Sequence, residues 1–180
     1  KLGQSFIQID DEITNAGNVT TPHMILYHLN FGWPMADEGA ELLLDGEMRV
    51  LDDVRDRKVF NDNNNFRKCP APREDHRGSG EAVAYFDTPQ NAKGQCFTGI
   101  VNEKIGLGVS IQFNKSELPW LTNWQHWGPG EYITGIEPCT NPPIGQAAAR
   151  RQKELIFMEP GETRKYSLRL EVKSSSQFSK

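Results

Sequence analysis

The sequence lacks any long apolar run. Its stretches of consecutive hydrophobic residues reach only a few positions, far short of the ~20 that a membrane-spanning helix needs. It lacks a basic excess, with 20 Lys and Arg against 24 Asp and Glu and a formal charge of −4. That balance argues against nucleic acid as a partner. It also lacks a cysteine framework. Cys69, Cys96 and Cys139 are odd in number and widely spaced, with no C-x-x-C pair, so neither a zinc knuckle nor a disulfide scaffold is encoded and no metal ligand set is predicted. Free thiols in a reducing, cytoplasmic setting account for them most simply. The chain opens on Lys1-Leu2-Gly3, without Met and without an apolar leader. It reads as a piece of something longer, or as a processed product. Two glycosylation sequons, at Asn18 and Asn114, are short enough to arise by chance.

What is present is strand pattern punctuated by turns. The 180 residues, 37% of them hydrophobic, suffice for one domain with a core. In KYSLRLEVK, Tyr166, Leu168, Leu170 and Val172 alternate with Ser167, Arg169 and Glu171, the period of a half-buried strand. Pro160-Gly161 before it suits the centre of a type II turn, and residues 154–172 are expected to form a hairpin. A second hairpin is expected over GQCFTGIVNEKIGLGVSIQF, turning near Asn102–Lys104. EAVAYFD adds a short strand. GQAAARRQKEL can form one or two helical turns, and ADEGAELLL is too short and glycine-broken for a helix. Asp53 to Glu81 is polar and turn-rich and reads as a long surface connection at a rim or an interface. The expected organisation is an all-β sandwich or barrel over residues 1–172 with few short helices, then a flexible tail at 173–180.

Three stretches carry residues that suit chemistry. In LYHLNFGWP, alternation puts His28 and Asn30 on one face with Met24 and Leu26, and Ile25, Tyr27, Leu29 and Phe31 on the other. A histidine here is either a core residue bonded to a backbone carbonyl or a proton-transfer group aimed into a cleft. In GEYITGIEPCTNPP, Glu137 shares a face with Ile133 and Gly135 and precedes Pro138, which favours extended backbone. Gly135 leaves room for a ligand ring beside the carboxylate. The competing reading is an exposed glutamate at a strand end. In LPWLTNWQHWGPGEY, Trp120, Trp124 and Trp127 surround Gln125 and His126. Indole faces with amide neighbours suit sugar rings, and tryptophans equally fill cores.

Their order along the chain is the stronger signal. TPHMILYHLNFGWPM resembles the strand of aldose 1-epimerases (mutarotases) that carries a catalytic histidine in a pattern close to T-P-x-x-L-x-x-H-x-Y-F-N-L. GIEPCTNPP resembles the later strand where Leu-Glu or Ile-Glu precedes a turn with Asn and Pro. Together with FMEPGETRKYSLRLEV, these pieces look like an uncharacterised branch of the galactose mutarotase-like superfamily, from about Phe6 to Val172. The resemblance implies a β-supersandwich, all-β, of which this chain is expected to be the C-terminal portion. A second substrate-binding His or Arg that family members carry upstream has no counterpart here. The Asp that many mutarotases use on sugar hydroxyls has a candidate counterpart in Asp87.

The resemblance also implies a reaction: interconversion of sugar anomers by acid/base ring opening. Glu137 is then the base on the anomeric hydroxyl and His28 the acid on the ring oxygen. Ordinary carboxyls titrate at about 4.3 and imidazoles at about 6.5, so the two can divide these roles near neutrality. No cofactor is required. Asn30, Trp124 and Gln125 are the expected substrate contacts, and the expected partner is a small-molecule sugar. The rival readings are a non-catalytic carbohydrate-binding module on the same fold, an epimerase of a phosphorylated or acidic sugar, which needs clustered cations where Arg150 and Arg151 are expected in a surface turn, and a structural domain whose tryptophans are core.

Overall fold

Strand alternation dominates the computed structural model, which describes residues 3–50 and 54–178. The first two residues of the expected domain, Asp53 of the long connection, and the last two residues of the expected tail lie outside the described residues. In chain order the elements are β1 (Phe6–Thr14), β2 (Thr21–His23), β3 (Leu29–Gly32), β4 (Glu41–Leu43), β5 (Glu47–Val50), α1 (Val54–Val59), β6 (Ala82–Asp87), β7 (Gln95–Asn102), β8 (Leu107–Asn114), β9 (Trp120–Gly128), β10 (Glu131–Cys139), α2 (Gln146–Arg151), β11 (Ile156–Met158) and β12 (Thr163–Ser174). One sheet has the order β1-β12-β8-β7-β4 and the second β3-β10-β9-β6-β5, with β11 and β2 forming a separate pair. All pairings are antiparallel. The fold is the all-β sandwich that the sequence pattern calls for.

The two sheets face each other through their alternating apolar residues. Ile100, Ile111, Phe113 and Leu168 from the first meet Ala84, Phe86, Leu121, Trp127 and Ile136 from the second in one buried cluster. Burying each such large side chain stabilises the fold by roughly 1.5–3 kcal/mol. The three cysteines are unpaired and buried within this body. No helix among the described residues is long and apolar enough to cross a membrane.

Three expectations need correction. The turn at Pro160-Gly161 forms, with Gly161 at φ +78° and the Glu162 N–H donating to Glu159 O. Its flanking strands separate, however: β11 pairs with β2, while β12 pairs with β1 and β8. The connection from 54 onward is not confined to the surface. Phe60, Phe66, Cys69 and His76 are buried, and residues 67–69 bond to β4 and its approach through Leu42 N–H to Arg67 O and Cys69 N–H to Ala40 O. Its few apolar anchors are spaced too widely in polar sequence to show a period. The tail is held through residue 178: β12 runs on to Ser174, Ser175 Oγ donates to Glu103 at 2.8 Å, and the Phe178 ring packs over Gly108. The hairpin of β7 and β8 forms as expected, its turn closing at Glu103–Gly106.

β9 divides its side chains between two environments. Asn123, Gln125 and Trp127 point into the sandwich. The Trp127 indole N–H donates to Gln125 Oε1 at 2.9 Å, and the Gln125 amide donates to Phe66 O and Asn123 Oδ1, both at 2.8 Å. Asn123 in turn donates to Gly135 O at 2.7 Å. Each buried polar group is satisfied by the next, the condition under which such groups are tolerated in a core. Gln125→Ala strands the Trp127 N–H and opens a cavity, so urea unfolding should read a loss of about 2–4 kcal/mol. A loss below about 0.5 kcal/mol, the level of a surface substitution, contradicts this placement.

Candidate active site

The site begins with a register. β3 and β10 pair so that Asn30 lies opposite Gly135 and Leu29 opposite Ile136. The same register continues to the bridge between Leu26 and Cys139, which sets His28 directly across from Glu137. The Tyr27 N–H donates to Pro138 O at 3.0 Å and holds the two chains together at this point. His28 Nε2 lies 2.9 Å from Glu137 Oε1. The environments of the two side chains differ sharply: His28 is 50% exposed and Glu137 only 4%. The contact has the distance of an ion pair without the alignment of a hydrogen bond, and Oε1 has no hydrogen-bond partner among the described residues.

Gly135 explains how the carboxylate reaches this position. A Cβ there would sit 2.1 Å from Glu137 Oε1. The room beside Gly135, which the sequence reading gave to a ligand ring, is filled by the Glu137 carboxylate folded back along its own strand. Burial pushes the Glu137 carboxyl up from 4.5 to about 7, because low-polarity surroundings disfavour its charged form. A carboxyl in that range exchanges protons at neutral pH, as general acids and bases do.

Trp124 forms the next wall. It stands across from Gly135 on one side and Val83 on the other. Its indole N–H donates to Glu81 Oε2 at 2.7 Å, and its ring meets His28 edge-on at 6.0 Å. It also lies parallel to His126, with centroids 5.9 Å apart. His126 Nε2 is 3.1 Å from Glu131 Oε2, which also accepts the Gly78 N–H at 3.3 Å. Trp124, Glu81, His126, Glu131, Ile133 and Arg55 line a cleft of about 430 Å³ on this face. Neither this cleft nor a larger hollow of about 650 Å³, beside Glu38, Lys68 and Lys104, is lined by His28 or Glu137.

The structure therefore brings together His28, Asn30, Trp124 and Glu137. Asn30 is exposed next to Gly135. Gln125 is not with them: as the neighbour of Trp124 on a strand it faces the opposite way, into the core. Asp87 is ion-paired to Lys115 beyond the site. Arg150 and Arg151 sit on α2, where the Arg150 guanidinium covers the Phe157 ring. Glu81, His126 and Glu131 escaped the sequence reading. The signal for His126 was present, since Trp124 and His126 are two apart on β9.

The two-sheet architecture is that of the galactose mutarotase-like proteins. The chain belongs to the family described as a domain of unknown function, DUF4432, whose model matches residues 1–172. Among solved structures it is similar to a "putative aldose 1-epimerase" from Klebsiella pneumoniae, at 26% identity and a TM-score of 0.86, over 97% of this chain and 45% of that one. A galactose mutarotase-like protein from Clostridium acetobutylicum matches with 14% identity and a TM-score of 0.59, over 93% and 52%. A galactose mutarotase related enzyme from Lactobacillus acidophilus matches with 12% identity and a TM-score of 0.61, over 95% and 58%. These last two show the fold alone. The chain spans about half the length of the structures it matches. No curated protein matches it.

The raised carboxyl has a consequence for stability. The folded Glu137 titrates at about 7 and its ordinary value is 4.5, so between these values the native state binds more protons than the unfolded chain. Stability from this group is fully present below about pH 4.5 and is lost as pH rises through 7. Glu137→Gln removes the penalty. The variant should be more stable than the parent at pH 8, by on the order of 2–3 kcal/mol, and so unfold at a higher midpoint, with nearly the same midpoint at pH 4.5. An equal or lower midpoint for the variant at pH 8 contradicts the burial argument.

Proposed function

We propose that the full protein containing this chain is an aldose 1-epimerase-like isomerase acting on a small sugar. The observation that carries the reading is the buried, unsatisfied Glu137 Oε1 set 2.9 Å from the half-exposed His28. Anomer exchange requires a base to remove the proton of the anomeric hydroxyl and an acid to protonate the ring oxygen. The ring C–O bond then breaks to give the open aldehyde, the C1–C2 bond rotates, and closure reverses both transfers. Glu137 suits the base: its oxygen has an unused acceptor position, and burial makes its conjugate acid weak enough to hold a proton near neutrality. His28 suits the acid, because half its ring is exposed beside the carboxylate. Each group in such a role typically contributes ~10²–10⁴ in rate. Asn30 and Trp124 are the proposed substrate contacts, a polar side chain and an indole face flanking the pair.

The test is anomeric exchange measured by NMR on the full-length protein across a panel of free aldoses. Glu137→Gln should abolish acceleration while sugar binding remains measurable. Retention of the parent rate by that variant removes Glu137 from the mechanism. In the parent, kcat/KM should rise with pH up to about 7, as Glu137 loses its proton. Trp124→Ala should weaken sugar affinity about ten-fold, the order of magnitude of a lost stacking contact. Binding without any acceleration favours a carbohydrate-binding module instead.

A further inference from the structure

We infer that the cleft beyond Trp124 is a subsite for a second sugar ring, so that the preferred substrate is the reducing end of a di- or oligosaccharide. This inference rests on the isomerase reading. Its first support is position. The reacting pair stands at one end of a continuous face, and the cleft opens on the other side of Trp124. Along β10 the face runs from Glu137 past Gly135 to Ile133 and Glu131. At about 3.3 Å per residue, Ile133 lies roughly 13 Å from Glu137, more than one pyranose ring covers. A monosaccharide with its anomeric carbon at Glu137 and its ring beside Trp124 leaves the cleft of about 430 Å³ unused.

The second support is composition. Glu81 and Glu131 offer carboxylate acceptors, Arg55 lines the same cleft, and Ile133 and the Trp124–His126 pair supply apolar and ring surface. Aromatic and apolar walls with a few convergent polar groups are how neutral polyhydroxylated ligands are held. Two carboxylates against one guanidinium disfavour a phosphate or a uronate in this position, since a bound anion calls for clustered cations. The third support is rigidity. Glu131 is tied at once to His126 and to the Gly78 N–H, and Glu81 to the Trp124 indole. These links join the loop at 78–81 to β9 and β10, so both walls of the cleft are fixed to the same sheet. A pre-positioned wall lowers the ordering cost of binding.

The experiment compares lactose, maltose and cellobiose with glucose and galactose on the full-length protein, by NMR exchange and by saturation-transfer difference. At least one disaccharide should exceed its own reducing monosaccharide ten-fold or more in kcat/KM. Ile133→Trp, which fills the cleft, should abolish that excess and leave the monosaccharide rate unchanged. Ser79→Trp, on the exposed loop of the opposite wall, is the second variant if the first does not fold. Equal kcat/KM for disaccharides and monosaccharides overturns the subsite, as does a disaccharide preference that survives the folded variants. If no sugar is exchanged, the isomerase reading fails by itself. A saturation signal from the non-reducing ring that disappears in the variants then upholds the subsite, and the absence of that signal overturns it.

Discussion

A single buried carboxylate, whose Oε1 lacks a hydrogen bond, is the constraint on which the rest of the site depends. Glu137 lies back along β10 over Gly135, in space that no other residue type at 135 would leave. The antiparallel register of β3 sets His28 against it. An ionised carboxylate taken out of water is costly unless its oxygens are paired, and here the cost appears as a carboxyl held near neutrality. Strands supply the precision: side chains on adjacent paired strands stand within a few ångströms by construction, without loop ordering.

β9 shows how one strand serves both core and site. Its inward side chains form a satisfied polar chain through Asn123, Gln125 and Trp127, while its outward ones present Trp124 and His126. The two sets share a backbone, so packing between the sheets fixes the wall of the cleft. The carboxylate depends on the same arrangement, since Asn123 bonds the carbonyl of Gly135, the residue beneath it. Stability is concentrated on the inner face. The outer face carries the carboxyl that burial disfavours, a division expected where activity requires a destabilised group.

Much of this was legible in the residues. Alternation in KYSLRLEVK and EAVAYFD gives the strands, and the family resemblance carried by the His28 and Glu137 stretches implies that these two side chains meet, as they do at 2.9 Å. The placement of Gln125 beside Trp124 was not legible from clustering alone, because adjacent strand residues diverge by half a turn. Applying the same alternation to WLTNWQHW would have separated Gln125 from the cleft and brought His126 into it. The role of Gly135 reads from sequence only as space, and whether ligand or carboxylate fills that space depends on a side-chain rotamer. The burial of Phe66 and His76 was hidden because their contacts are long-range, Phe66 to β6 and β9 and His76 to β9, and leave no local period. The divergence of β11 from β12 after a well-formed turn is hidden for the same reason: strand pairing is decided by partners elsewhere in the chain.

The most direct test of this account is the titration of the Glu137 side chain itself, followed by carbon-13 NMR of the carboxyl in the wild-type protein. The account predicts a midpoint near 7, with the His28 ring signals responding as that proton leaves. A midpoint near the ordinary 4.5 would mean that the carboxylate is solvated in solution, and the proton-transfer role built on its burial would fail.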